Sequence, residues 1–560
     1  MLPHAVSQDV KSRPRQLYST VSGHLYHAGK ICIIMVGLPG RGKTLRSERI
    51  VRYLDWLGVP SRAFHLANYR RDFLGPNFEI SPEYILGRYE EYRKKIVNSC
   101  LADIVAFFKE KGGQVAVYDA VNGRSEDRLN LQEIFKMHGI ECLFVESLVT
   151  NEKMLARNVA EVRLNSPDYA GKESRASLEH YLHMIEAYMT DYEPVREHQL
   201  ICVKLVNDGE QCVVNNGPLG YLLNRVLMFL LNSRRRQGSL FFARAGATDA
   251  SDLWNNGDND LNARGTMYAA TLANTVMGYV SSKQVDLADL KMDMSEIRRM
   301  ADHKGHLLAS SVTSMAPSVA QSTLQSPVMS AVPSAMPSAV PSTTTSACPS
   351  RGTSRGPSRQ GSFIFSHEGS RQGSPTQPAR NYNEQADITE PPLVVWSSTR
   401  RKSGQTARPL KDAGVPVIPK SLLSQMNLGD AWKFADNFEK FEKLHPEECA
   451  AYKKDAYHYR FPRAESYQDV AIRLEPVIME MERTQTNLVI IAHESVLRVL
   501  YGYVMGLSTA DIPNLQFPAN QVVEIVPNGY NNVVLRLPLP GVSEDGGVEL
   551  PEGITVEANQ

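Results

Sequence analysis

The sequence predicts two successive α/β domains, the second interrupted by a long disordered insertion, and three observations predict it. At 560 residues the chain exceeds the roughly 250 to 300 residues at which a single core stops growing. Short β-rich apolar runs alternate with amphipathic helical stretches, the pattern of a parallel sheet with crossover helices. Composition turns to Ser, Pro, Thr and Ala at about Ser310 and turns back near Glu390, leaving too few large apolar residues to offset the entropy of ordering.

In chain order, strands are expected at Ile31 to Val36, Ser61 to Leu66, Gln114 to Asp119, Glu141 to Glu146 and Leu200 to Val206. Helices fit between them at Leu45 to Leu57, Tyr84 to Lys111 and Glu126 to His138. A second strand-rich region opens at Ser239 to Arg244 and resumes at Leu393 to Trp396, Asn487 to His493 and a hairpin over Gln521 to Leu537 whose turn is PNGYNN. The expected organisation is an N-terminal arm over 1–28, a first domain over 29–237, a second over 238–540 holding the insertion at about 305–390, and a tail over 541–560.

Lys plus Arg and Asp plus Glu balance at 61 each, so no global field holds nucleic acid or an anionic membrane. No apolar run approaches the roughly 20 residues that span a bilayer, and Met1 to Thr20 has no apolar core. The seven cysteines lie far apart, mostly inside apolar runs, and suit buried free thiols. These features predict a cytoplasmic protein with no nucleic-acid partner, no membrane contact, no disulfide frame and no zinc cluster. Arg-Gln-Gly-Ser occurs at Arg236 to Ser239, Arg359 to Ser362 and Arg371 to Ser374, with Arg three residues before Ser as basophilic kinases read it. Protein kinases, or readers of phosphoserine, are therefore expected partners at Ser362 and Ser374.

The strongest chemical signal is Gly37-Leu38-Pro39-Gly40-Arg41-Gly42-Lys43-Thr44, which fits G-x-x-x-x-G-K-[ST] in full after an apolar strand and before a helix. Small residues let backbone N–H groups converge on phosphate oxygens, Lys43 reaches the β and γ phosphates, and Thr44 ligates Mg²⁺. Asp119 ends the apolar run Val115 to Tyr118, where a carboxylate can bind the metal or take a proton from an attacking hydroxyl.

GLPGRGKT, LDWLGVPSRAF, Tyr69-Arg70-Arg71, VAVYDAVN, FVES and NSPDY, taken in order, resemble the kinase half of the bifunctional 6-phosphofructo-2-kinase/fructose-2,6-bisphosphatase family. SYQD at Ser466 to Asp469, RLEPVIMEME at Arg473 to Glu482 and AHESVLR around His493 continue the match into a phosphoglycerate mutase-like half. The resemblance implies a P-loop kinase domain that uses ATP and Mg²⁺, with Thr44 and Asp119 at the metal and Lys43 and Asp119 in catalysis. It implies adenine and ribose contacts near Asn158 to Arg163, among them Val162, fructose 6-phosphate as acceptor, and a homodimer paired through kinase domains.

For the sugar phosphate it implies Arg70, Arg93, Arg163 and Tyr188, Arg163 standing where the family has a lysine. Val121, Asp127 and Met184 replace a threonine, a basic residue and an arginine; Arg128 and Arg175 are candidates to compensate. In the second half the family's Arg-His-Gly reads Arg244-Ala245-Gly246, so no phosphohistidine can form, while His493 survives. The region Leu428 to Asp436 offers no acid pair, Lys402 replaces a pocket arginine, and Tyr452 and Ala456 replace sugar-phosphate contacts. The expectation is a kinase with an inactive phosphatase half. A non-catalytic ATP-binding regulator and a phosphotransferase with another acceptor are the alternatives.

Overall fold

The computed structural model describes residues 29–282, 297–298 and 393–542, apart from short stretches at 76–77, 79, 82–83, 86–88, 170–173, 218–219, 237, 249–257, 430–437 and 528–531. The Ser/Pro-rich insertion with Ser362 and Ser374, the arm and the tail lie outside the described residues. All described residues belong to one body.

The first half is built from β1 (Lys30–Val36), α1 (Lys43–Trp56), β2 (Ser61–His65), α2 (Leu66–Leu74), α3 (Glu90–Glu110), β3 (Val115–Asp119), α4 (Ser125–Met137), β4 (Ile140–Leu148), α5 (Glu152–Asn165), α6 (Ser174–Thr190), β5 (Cys202–Val206), β6 (Gln211–Asn215) and α7 (Tyr221–Asn232). Its sheet runs β2-β3-β1-β4-β5-β6, parallel except for β6, which pairs antiparallel with β5. Ile31, Ile33 and Met35 of β1 face one core, while Cys32, Ile34 and Val36 face another, so helices cover both faces. Continuous apolar runs were needed for that, and they are what marked the strands.

Two features differ from expectation. The helix expected over Tyr84 to Lys111 begins at Glu90, after a separate helical turn at Tyr84 and Ile85, and α2 precedes both. Tyr89, with φ −116° and ψ 29°, stands outside the helical region as the N-cap, so the helix opens only at Glu90.

The second half holds β7 (Leu240–Arg244), α8 (Ala263–Ser282), β8 (Leu393–Ser398), α9 (Arg401–Asp412), β9 (Val417–Lys420), α10 (Phe438–Leu444), α11 (Pro446–Lys454), α12 (Tyr467–Arg483), β10 (Asn487–Ala492), α13 (Glu494–Met505), β11 (Gln521–Val526) and β12 (Val533–Pro538). Its sheet runs β12-β11-β7-β10-β8-β9; β10 pairs in parallel with both β7 and β8. Strands from before and after residues 283–392 thus share one sheet.

One apolar cluster joins the halves: Ile50, Tyr53 and Trp56 of α1 and Val226 and Phe229 of α7 share it with Ile478 and Met481 of α12 and Tyr503 of α13. Tyr53 stacks on Phe229 with centroids 4.6 Å apart, and Trp56 meets Tyr503 edge-on at 5.4 Å. Beside them Glu482 accepts from Arg49 Nε at 3.0 Å, Arg52 Nη2 at 2.9 Å and the Tyr503 hydroxyl at 2.7 Å. No helix among the described residues is long and apolar enough to cross a membrane.

Candidate functional site

β1 delivers the chain into a loop that only glycine can complete at two points. Gly37 has φ 140°, and a Cβ there would lie 2.6 Å from the Ser147 carbonyl of β4. Gly42 caps α1 with φ 75°, in the left-handed region. The loop is braced from outside: Asn158 Nδ2 donates to the Gly40 carbonyl at 2.9 Å and Ser147 Oγ donates to the Arg41 carbonyl at 2.7 Å. Lys43 is buried at the head of α1 and donates to the Leu38 carbonyl at 2.8 Å. Burial lowers its pKa to about 8, against the pull of Asp119 and with a further push from Arg41.

Thr44 Oγ1 donates to Asp119 Oδ2 at 2.7 Å. Parallel pairing sets His65 opposite Asp119 at the same sheet edge, and His65 Nδ1 lies 2.8 Å from Asp119 Oδ2. His65 Nε2 lies 2.6 Å from Glu48 Oε1. Burial disfavours the imidazolium, but hydrogen bonds and charge from Asp119 and Glu48 outweigh it and raise the His65 pKa to about 10. Burial likewise works against ionised Asp119, yet His65, Lys43 and Thr44 together hold its carboxyl below the ordinary value. His65 was not singled out in the sequence; the signal was its place at the end of the strand beside Asp119.

Of the residues implied for the sugar phosphate, Arg70, Arg93 and Tyr188 come together around Tyr84. Burial raises both tyrosines, and the two arginines counter it. Arg70 and Arg71 also pair with Asp168 of the NSPDY string, at 2.7 and 3.1 Å. Arg163 lies on α5, with its side chain outside the description, and Val162 packs on the core. Met184 is a buried core residue of α6 and Val121 is half-buried after β3. Asp127 is exposed in the first turn of α4, where a carboxylate complements the helix dipole.

Of the two candidate compensators, Arg128 is already engaged. The fully buried Arg128 is committed to the carbonyls of Asn122, Gly123 and Glu193 and to Glu197, and Arg175 is exposed and pairs with Glu179 one turn on.

The stretch Asn158 to Arg163 meets the segment that follows α7. Arg235, from the segment after α7, donates to Asn158 Oδ1 and pairs with Glu161, while its backbone N–H donates to Asp208. Asp208 in turn pairs with Arg46, whose Nε and Nη1 are buried with no hydrogen-bond partner among the described residues. Only about 10 Å³ stays open between this network and the loop.

In the second half β7 ends at Arg244, which donates to the Phe517 carbonyl at 3.2 Å and lies 3.7 Å from Glu494. Ala245 follows with its N–H bound to the Ala492 carbonyl, and Gly246 N–H donates to Thr406. His493 is the N-cap of α13, its Nδ1 accepting from Ser495 N–H at 3.3 Å. Burial, then Lys402, Arg244 and Arg498, lower its pKa to about 3, so the ring is neutral. Tyr452 belongs to an aromatic group with Phe438, Tyr459 and Phe461, and Ala456 is half-buried. Of Leu428 to Asp436, residues 430–436 lie outside the described residues. Ser239 of the first Arg-Gln-Gly-Ser copy is buried.

A phosphate loop on a parallel sheet, fused to a second α/β half of this topology, is the architecture of a P-loop kinase-type domain joined to a phosphatase-type domain. The 6-phosphofructo-2-kinase family model matches residues 18–237, and the histidine phosphatase superfamily (branch 1) model matches 379–539. A Saccharomyces cerevisiae protein provisionally named 6-phosphofructo-2-kinase/fructose-2,6-bisphosphatase is 32% identical over 533 residues, covering 94% of this chain and 86% of that protein. The Saccharomyces cerevisiae fructose-2,6-bisphosphatase is 27% identical, covering 94% and 92%. Human 6-phosphofructo-2-kinase/fructose-2,6-bisphosphatase 4 is 28% identical, covering 89% and 82%. The chain belongs to the 6-phosphofructo-2-kinase/fructose-2,6-bisphosphatase family. Relatives of matching extent carry names for one activity or for both, so the site residues must decide between them.

Proposed function

We propose that this chain transfers the γ-phosphoryl group of ATP to the 2-hydroxyl of fructose 6-phosphate, giving fructose 2,6-bisphosphate, and that its second half does not hydrolyse that product. One observation carries the reading: Lys43, Thr44 and Asp119 stand together at the head of α1, with Thr44 and Asp119 2.7 Å apart. Loop N–H groups from Gly37 to Thr44 would hold the phosphates, and Lys43, largely protonated at neutral pH, would stabilise charge on the transferring group. The Thr44 hydroxyl and the Asp119 carboxylate are the hard oxygen donors that Mg²⁺ takes, and the ion would neutralise charge on the β and γ phosphates. Asp119, held ionised below its ordinary pKa, serves that metal better than it serves as a base. Arg70, Arg93 and Tyr188 would receive the sugar phosphate once Asp168 gives up Arg70.

The second half lacks a nucleophile. A methyl group at Ala245 has no lone pair, and neutral His493 is spent capping α13. A homodimer, a cytoplasmic location, and phosphorylation at Ser362 and Ser374 accompany the proposal, as does the division at residues 237 and 238.

A second reading, a non-catalytic ATP-binding regulator of the same family, is favoured by Arg235, whose bonds to Asn158 and Glu161 occupy the stretch expected to meet adenine and ribose. Incubating the purified chain with Mg-ATP and fructose 6-phosphate separates the two. An acid-labile bisphosphate supports the kinase; ATP binding without product overturns it in favour of the regulator.

A further inference from the structure

His65 stands at the N-cap of α2, with φ −89° and ψ 110°, yet its side chain makes no capping hydrogen bond to that helix. N-cap positions favour Ser, Thr, Asp or Asn, whose side-chain oxygens satisfy the first free N–H groups. The ring serves the sheet edge instead. β2 and β3 pair in parallel with His65 opposite Asp119, so the last residues of two neighbouring strands leave the sheet side by side.

The contacts are unequal across the Asp119 carboxylate. Oδ2 accepts from Thr44 Oγ1 at 2.7 Å and lies 2.8 Å from His65 Nδ1, whereas Oδ1 has no hydrogen-bond partner among the described residues. Lys43 does not reach it, because its ammonium donates to the Leu38 carbonyl. The χ2 torsion of an aspartate is broad, so one donor would leave the carboxylate free to turn, while two donors on one oxygen fix its plane. The far side of the ring is held as well, with Nε2 2.6 Å from Glu48 Oε1 on α1. A ring that donates to carboxylates on both sides is positively charged, and Glu48 balances that charge. Asp119 therefore keeps its own charge for what binds beside Lys43 and Thr44.

We infer that His65 is a positioning residue for phosphoryl transfer, holding Asp119 Oδ2 against the Thr44 hydroxyl so that Oδ1 and the Thr44 lone pairs are presented to the metal-bound phosphates. The inference rests on the transfer reading above and adds the residue that sets the carboxylate. A Thr44 hydroxyl whose proton is engaged by Asp119 offers only lone pairs outward, the form a hard cation takes.

Three variants of the full chain separate positioning from structural support. His65→Asn keeps a donor where Nδ1 stands and an oxygen that can cap α2; His65→Ser supplies the cap oxygen without reaching Asp119; His65→Ala supplies neither. Transfer from ATP to fructose 6-phosphate is followed at steady state, and ATP affinity is measured calorimetrically with magnesium and with EDTA, alongside thermal unfolding. The expected result is a kcat lowered about tenfold or more in the Ala and Ser variants, with KM for ATP little changed, and a kcat near the parent's in the Asn variant. The gain in ATP affinity that magnesium brings should be lost in the Ala and Ser variants and kept in the Asn variant, with metal-free affinity alike in all. If the Ser variant matches the Asn variant, capping explains the residue and the inference is overturned. Parent-like kcat and magnesium dependence in His65→Ala also overturn it while leaving the transfer reading intact. A parent chain that gains affinity with magnesium yet forms no product refutes the transfer reading instead, and the affinity series then decides the role of His65 alone. No magnesium-dependent affinity in the parent overturns both.

Discussion

His65 ties the acceptor side of the phosphate loop to the body of the protein, since one ring holds Asp119 and Glu48 together. Its pKa is raised in the folded chain to about 10, so its contribution to stability is complete below the unfolded value of about 6.5 and is lost as pH climbs through about 10. His65→Gln should therefore lower stability by on the order of 1–3 kcal/mol near pH 6, with the gap to the parent chain narrowing by pH 10. Denaturant unfolding at both pH values checks this, and a gap that widens with pH would contradict it. His493 goes the other way. Its depressed pKa means that acid below about 6.5 favours the unfolded chain, and its ring resonances in an NMR titration should stay fixed between pH 5 and 8. Most loop residues were legible because the motif states its own geometry. His65 and Arg235 were not, since His65 meets Asp119 54 positions on and Arg235 meets Asn158 77 positions back, and only strand register or packing between the halves reveals those contacts.

At the scale of elements, α1 does two jobs. Its first residues close the phosphate loop, and its later turns carry Ile50, Tyr53 and Trp56 into the second half while Arg49 and Arg52 meet Glu482 on α12. Glu482→Ala leaves the buried Arg49 and the half-buried Arg52 without their carboxylate and should cost roughly 3–5 kcal/mol, read as a lower urea midpoint. A shift under about 1 kcal/mol would mean that water reaches the pair. Most strands, together with α1 and α4, were readable from apolar periodicity alone, whereas α2 and β9 were not expected. The helix expected over Tyr84 to Lys111 was overextended because its apolar spacing continues through Gly87, and β6 escaped notice because QCVVN is a short edge strand whose value lies in pairing with β5. Arg128 looked like a spare sugar-site cation. In fact its guanidinium holds three carbonyls and Glu197, a role no local pattern announces.

Across the whole molecule, the second half serves the first as a wall. Tyr53, Trp56, Phe229 and Tyr503 lie in one core that crosses the boundary, and a large aromatic removed from such a core costs about 3–5 kcal/mol. A chain ending at residue 237 should consequently aggregate or fail to unfold cooperatively, whereas Ala245→His in the full chain should fold normally without hydrolysing fructose 2,6-bisphosphate. A stable, monodisperse fragment over 1–237 would show that the shared core is dispensable. On the proposed reading the second half is kept for a physical reason, because the helix that opens the phosphate loop buries Ile50, Tyr53 and Trp56 against it.

The central claim is that the loop of the first half still performs phosphoryl transfer. The most direct measurement is transfer of label from γ-³²P-ATP to fructose 6-phosphate by the parent chain and by Lys43→Met. The account predicts an acid-labile labelled bisphosphate from the parent, reduced roughly 10²- to 10³-fold or more in the variant. No labelled sugar from the parent chain under saturating substrates, or equal label from both chains, would contradict it.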